Sequence, residues 1–191
     1  MMRIITGTAK GVHLETLAGD DITRPTAERT KEAVFSTIQF DVEGRRVLDL
    51  FAGSGQMGLE ALSRGASGAM FVDASDAAIA TVKRNAQKAK LFDRAKFLIS
   101  DYRNYMRKAR GGEPFSLVFL DPPYALGAIP EALARLLDYG LVTPDCIFVC
   151  ESAEPDPFAG KDELASRFVT RKSGKYGKAY VNILTLKEET E

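Results

Sequence analysis

The 191-residue chain has no tryptophan, a single histidine and only two cysteines. One His and two Cys are too few ligands for a structural metal site, so no metal is expected. Cys146 and Cys150 lie four residues apart in an apolar stretch. On one strand they would face the same side, too close for a disulfide, and they read as reduced core residues of a cytoplasmic protein. Also missing is any apolar run of the roughly 18–20 residues that cross a bilayer. The opening MMRIITGTAK lacks the apolar segment and small-residue cleavage site of a signal peptide. Net charge is absent as well, with 26 basic and 26 acidic residues. Neutrality taken alone speaks against a nucleic-acid partner.

The charges are not mixed evenly, however. From Lys83 to Arg110 there are ten Lys/Arg against Asp93 and Asp101, and from Glu113 to Glu163 ten acids against Arg135 and Lys161. From Arg167 to Lys178 there are five basic residues and no acids. Such segregation fits a polyanion lying on one side of a neutral protein, and it equally fits solvated helix and loop faces. The length suits one domain, and 45% hydrophobic residues suit an ordinary globular core.

The first 20 residues, with β-branched residues and Gly-rich turns, predict a small hairpin. Pro25 then interrupts, Thr26 is placed to cap, and 27–40 predict an amphipathic helix with Val34, Phe35 and Ile38 on one side. From Arg46 onward short apolar runs (RVLDLF, AMFVD, AKFLIS, SLVFLD, CIFVCE) alternate with helical segments, and 167–187 predict two further β segments around a glycine turn. This alternation predicts an α/β fold: an open, mostly parallel, seven-stranded sheet with helices on both faces. The expected division is an N-terminal hairpin-and-helix appendage over 1–42 and a main domain over 43–191.

Ligands of such sheets bind beyond the carboxyl ends of the strands, and the informative residues fall there. Asp49-Leu-Phe51-Ala-Gly53-Ser-Gly55-Gln-Met-Gly58 follows the first strand, and Asp73 ends the second. The GxGxxG spacing with an acid twenty residues on is, read by itself, a dinucleotide fingerprint. Asp49 argues otherwise: a carboxylate there suits a cation such as an amino acid ammonium and would repel a pyrophosphate. Ser100-Asp101 close the third strand, where an Asp is commonly the next helix's N-cap. Asp121-Pro122-Pro123-Tyr124 close the fourth. Two prolines stiffen this loop and remove N–H groups, Asp121 adds acceptors, and Tyr124 adds a flat face. Acceptors beside an aromatic surface suit a planar amine that donates its hydrogens while its ring stacks.

DLFAGSG resembles the first motif of class I S-adenosylmethionine methyltransferases, and DPPY the signature of those acting on the amino groups of adenine, cytosine, guanine or glutamine amide. Arg3-Ile-Ile-Thr-Gly, RPTAERTKEAVF, DLFAGSGQMGLEALSRGA, FVDASDAA, LDPPY and GKYGKAYVNIL together resemble the RsmD family, over residues 2 to about 186. The resemblance implies a Rossmann-like class I fold, S-adenosylmethionine as cofactor, and methylation of a guanine N2 in 16S ribosomal RNA, on naked RNA or a small-subunit assembly particle, by a monomer. It implies that Asp49, Phe51, Gly53, Gly55, Asp73, Ser100 and Asp101 hold the cofactor and that Asp121, Pro122, Pro123 and Tyr124 form the catalytic loop. Arg3, Lys10, Arg24, Arg29, Arg171, Lys172 and Lys175 are candidates for phosphate contacts, and His13 has no catalytic role. Departures include Asp73 where the family has Glu, Glu28 for Asp, Lys31 for Arg, Gln56-Met57 and Ala179. Lys31 would matter if it met a phosphate in two-pronged fashion, which Lys cannot do. DNA adenine N6, a protein glutamine amide, NAD chemistry and an inactive RNA-binding module remain open as alternatives.

Overall fold

The computed structural model describes residues 2–17 and 24–188, with the side chains of 24–27 left aside. Its centre is one seven-stranded sheet in the order β3-β2-β1-β4-β5-β7-β6. The strands are β1 (Arg46–Asp49), β2 (Gly68–Asp73), β3 (Ala95–Ile99), β4 (Phe115–Leu120), β5 (Val142–Ser152), β6 (Phe168–Tyr176) and β7 (Ala179–Leu186). The first five run parallel, while β7 pairs antiparallel with both β5 and β6. Helices α1 (Arg24–Thr37), α2 (Gln56–Ser63), α3 (Asp76–Lys88), α4 (Tyr102–Ala109), α5 (Ile129–Asp138) and α6 (Asp162–Ala165) complete it. The strand order reverses between β1 and β4, the switch point where open α/β sheets bind their ligands.

The apolar runs work because successive strand residues point to opposite faces. Val47, Leu117, Phe119, Ile147 and Val149 face a core layer built with α1, α2 and α3. Their neighbours Leu48, Val118, Leu120, Phe148 and Cys150 face the layer under α4, α5 and α6. Cys146 and Cys150 are both buried free thiols in that second layer. Burial pushes both thiols up, Cys146 well above its ordinary value.

The N-terminal segment is a small hairpin: the Ile4 N–H donates to the Val12 carbonyl, the Leu14 N–H to the Met2 carbonyl and the Gly11 N–H to the Ile4 carbonyl, about an antiparallel bridge between Arg3 and His13. The N–H groups of Ile5 and Thr6 donate to the Glu60 carboxylate of α2, at 2.7 and 3.0 Å, and fasten the hairpin to that helix. Gly7 lies so close to the Ser63 carbonyl that a Cβ would fall 1.8 Å from its oxygen. Met2, Ile4, Ala9 and Leu14 are thereby buried against α1, α2 and α3.

Helix α1 begins at Arg24, ahead of the expected start at residue 27, and ends at Thr37. Pro25 thus sits in the first turn, where a missing N–H costs nothing; the expected cap on the Thr26 side chain lies outside the described residues. Val34, Phe35 and Ile38 are buried as the periodicity requires. Lys31 is buried too, with no side-chain exposure, which removes it from any phosphate contact. Its ammonium donates to the Arg3 carbonyl at 2.5 Å and lies 3.8 Å from Glu60. Glu60 also accepts from Arg64 at 2.7 Å. Burial holds the Lys31 ammonium below its ordinary pKa, against the pull of Glu60 and Glu28.

Candidate active site

One cavity of about 740 Å³ opens beyond the carboxyl ends of β1, β2, β3 and β4, within the size of about 300–1,000 Å³ usual for small-molecule sites. Asp49, Phe51, Gly53, Asp73, Ser100 and Asp101 line it, and so do Asp121, Pro122, Pro123 and Tyr124. Asp49, Asp73, Asp101 and Asp121 come from four strand ends, and parallel strand pairing puts those ends side by side. Gly55 is the one residue of the first motif's proposed set that does not line the cavity. It caps α2 with φ +77°, and a Cβ there would meet Val82 at 2.6 Å. Its part is to turn the chain under α3. Gly53, φ +53°, has open space where a Cβ would be, so its backbone lies bare toward the cavity.

Asp49 is buried and accepts from the Gly58 N–H at 3.1 Å. Burial raises its pKa to about 7, with the Asp73 charge adding to the rise and the Gly58 N–H opposing it. Gln56, at the start of α2, also lines the cavity. Its buried side-chain oxygen has no hydrogen-bond partner among the described residues. A buried carboxyl and an unused amide oxygen in one cavity form an acceptor pair fitted to an ammonium group. The sequence marks Gln56 only as a departure from the family pattern, with no role attached.

Asp73 accepts from Gly53 N–H through one oxygen and from Ser75 N–H through the other, each at 2.9 Å. It therefore shapes the glycine loop as well as facing the cavity. Asp101 is the N-cap of α4, its Oδ1 taking the N–H groups of Arg103 and Asn104. It combines both expectations: it caps, and it lines the cavity. Phe51 packs against Tyr102 with ring centres 5.2 Å apart. Tyr102 is held by Glu131 of α5 at 2.9 Å, and Glu131 in turn takes a forked bond from Arg103. The Arg103 bond draws the Glu131 carboxyl down to about 2. Together Phe51 and Tyr102 form an aromatic wall fit for an adenine ring.

The DPPY loop is stiffer than two prolines alone make it. It runs into a 3-10 turn in which the Pro123 carbonyl accepts from Leu126 N–H and the Tyr124 carbonyl from Gly127 N–H. Both carbonyls are thus engaged within the turn itself. Tyr124 is half-exposed, its hydroxyl donating to Glu151 Oε1 at 3.3 Å. Burial, then the Glu151 and Asp121 charges, push the Tyr124 hydroxyl up to about 12. Glu151 was read only as a strand end. It too lines the cavity, and burial raises its carboxyl above the ordinary range.

Among the described side chains, none of the proposed phosphate contacts lines the cavity. Arg171 pairs with Asp41 at 3.1 Å and Lys172 donates to Thr37 at 3.0 Å, tying β6 to the end of α1. Arg3 pairs with Glu28 at 3.3 Å, while Lys10 and Arg29 are exposed. The Arg24 side chain lies outside the described residues. Lys175 lies over the Tyr180 ring, 5.0 Å from its centre. Lys178, in the turn between β6 and β7, does line the cavity and was not singled out from the sequence.

The chain is 40% identical over 151 residues to YlbH of Bacillus subtilis, named as a proposed rRNA methyltransferase; the match covers 78% of this chain and 82% of that one. It is 32% identical to the ribosomal RNA small subunit methyltransferase D of Escherichia coli, over 79% of this chain and 74% of that one. The solved structure of an Escherichia coli protein named as a proposed methyltransferase, yhhF, superimposes with a TM-score of 0.82 at 27% identity, covering 97% of both chains. The fold is thus the Rossmann-like class I methyltransferase fold. The model of the family described as "Conserved hypothetical protein 95" matches residues 2–185, and the chain belongs to that family, in which the small subunit methyltransferase D proteins of the resemblance are its relatives.

Proposed function

We propose that this protein transfers a methyl group from S-adenosylmethionine to the N2 amino group of a guanine in 16S ribosomal RNA. The observation that carries the reading is one cavity lined both by the strand-end acids and by the DPPY loop. The names of the relatives support an rRNA substrate and methyl transfer. Guanine N2, the assembly particle and a cytoplasmic monomer rest on the motif resemblance. No helix among the described residues is long and apolar enough to cross a membrane.

Asp49 and Gln56 would hold the ammonium of the cofactor, Asp73 its ribose hydroxyls, and Asp101 with the Phe51–Tyr102 wall its adenine. When bound, the cofactor supplies an electrophilic sulfonium methyl: the amine lone pair forms the N–C bond while the C–S bond breaks and its electron pair stays on sulfur. An exocyclic base amine is a poor nucleophile, because its lone pair is spread into the ring. Asp121 and the Pro122 carbonyl accept its two hydrogens and favour a more tetrahedral nitrogen, which returns the lone pair to that atom. Tyr124 supplies the stacking face for a base taken out of its helix. The amine turns acidic on alkylation and then sheds one proton, so no base need act beforehand. The protein's contribution is placement and fixed acceptors.

Labelled S-adenosylmethionine and small subunits from cells lacking the protein test this. N2-methylguanosine is the expected product in the digested RNA. Label in another nucleoside, or in a protein glutamine, overturns the reading. In calorimetry the cofactor binds and NAD does not.

A further inference from the structure

Pro122, Tyr124 and Glu151 line two cavities at once. Besides the large one, a second of about 140 Å³ lies on the far side of Tyr124, walled by the start of α5 and by residues 152–159. Its walls are largely apolar, with Ile129, Pro130 and Pro157 among them. Glu151 stands where the two cavities meet. In the sheet Cys150 pairs with Leu120, so Glu151 and Asp121 are the next residues of neighbouring strand ends. The Tyr124 hydroxyl donates to Glu151 Oε1, which fixes the carboxyl at the edge of the aromatic face and orients it as an acceptor.

We infer that Glu151 selects the target base by accepting a hydrogen from the ring nitrogen beside the reacting amine. This rests on the proposal that the amine is guanine N2. Guanine, adenine and cytosine all present an exocyclic amine, and acceptors at Asp121 and Pro122 would serve any of them. The adjoining ring atom on the Watson–Crick edge tells them apart. In guanine it is N1–H, a donor; in adenine N1 and in cytosine N3 it is a bare acceptor. An acceptor fixed next to the amine site completes a hydrogen bond with guanine and sets lone pair against lone pair with the other two. A site built to accept a substrate hydrogen discriminates strongly against analogues lacking it, because its own buried polar group is left unpaired.

The test uses ribosomal RNA assembled by splint ligation, with guanine, 6-thioguanine or 2-aminopurine at the position the wild-type protein methylates. 2-Aminopurine keeps the 2-amino group and bares N1; 6-thioguanine keeps N1–H and alters only position 6. Wild type should use guanine and 6-thioguanine alike, and 2-aminopurine worse by about 10²-fold or more in kcat/KM. Glu151→Gln offers an N–H in place of the carboxylate, so guanine use falls, 2-aminopurine use rises, and the preference shrinks by at least about tenfold. A wild-type protein that uses 2-aminopurine within about threefold of guanine overturns the inference, and this comparison needs no variant to fold. So does a Glu151→Gln protein, still binding cofactor, that loses both bases equally. A wild-type product other than N2-methylguanosine overturns the proposed function and this inference together, whereas the correct product with an unchanged preference removes Glu151 alone.

Discussion

Asp49 shows how one buried carboxyl can tie cofactor binding to pH. Its ordinary pKa of 3.8 rises to about 7 because burial penalises the charge and the nearby Asp73 adds to it. The fold therefore favours the neutral form. That contribution is fully present below about pH 4 and is lost as pH rises through 7. The cofactor-free protein should melt at a lower temperature at pH 8 than at pH 5, and Asp49→Asn should flatten that part of the profile. A cationic ligand reverses the preference, because an ammonium stabilises the ionised carboxylate. Affinity for S-adenosylmethionine should then fall below pH 7, by up to about tenfold per unit, with proton release on binding seen by calorimetry in two buffers. Equal affinity at pH 5.5 and 8 would separate Asp49 from the ammonium. Asp121 answers to a different measurement. Losing one preorganised polar partner costs about 10²–10³ in turnover at comparable sites, so Asp121→Ala should drop kcat by that factor with cofactor affinity nearly intact. Asp121→Asn should fall between, since its amide oxygen still accepts; equal loss in Asn and Ala would instead mark a charged base.

At the scale of elements, the strand ends were legible because each apolar run stops at an acid or at DPPY, and parallel pairing then brings those ends to one rim. What escaped reading depended on partners distant in sequence. The N-terminal hairpin was legible, but its fastening was not: Glu60, 54 residues or more away, takes the Ile5 and Thr6 N–H groups. Lys31 sits among polar residues of α1 and reads as a surface charge, yet it is enclosed with Glu60. Glu151 belongs to no motif and gains meaning only from Tyr124 beside it. The Glu60 cluster fastens the N-terminal segment, α1 and α2 together, and its two charges are not equivalent. Removing Glu60 strands a buried Lys31 and leaves two backbone N–H groups without their acceptor. Glu60→Ala should cost about 3–5 kcal/mol in denaturant unfolding. Lys31→Met should cost clearly less, because Glu60 keeps Arg64 and both N–H groups and the methionine fills the apolar space. Equal costs for the two would show that the pair, and not the carboxylate, carries the clasp.

For the whole molecule, neutrality conceals a separation of charge that follows the sheet. The acidic stretch from Glu113 to Glu163 covers β4, α5 and β5, whereas the basic stretches run through α3 to α4 and along β6 into the turn before β7. RNA held at the cavity would meet Lys178, which lines it. Contacts of this kind release counterions, so affinity should fall linearly with salt on a log–log plot. The structure divides the basic residues of β6 and its turn by the work they already do. Arg171 and Lys172 hold β6 to the end of α1 through Asp41 and Thr37, so their loss should act chiefly on stability. Lys178 borders the cavity, and Lys175 lies over Tyr180 near the same turn. Replacing Lys175 and Lys178 with Ala should reduce the salt slope by about one for each phosphate contact removed. The melting temperature and the cofactor affinity should stay close to wild type. Filter binding of small-subunit rRNA between 50 and about 200 mM salt reads the slope directly. If the double variant keeps the wild-type slope while Arg171→Ala flattens it, the RNA lies across the α1 end of β6, and its path to the cavity must be redrawn from that side.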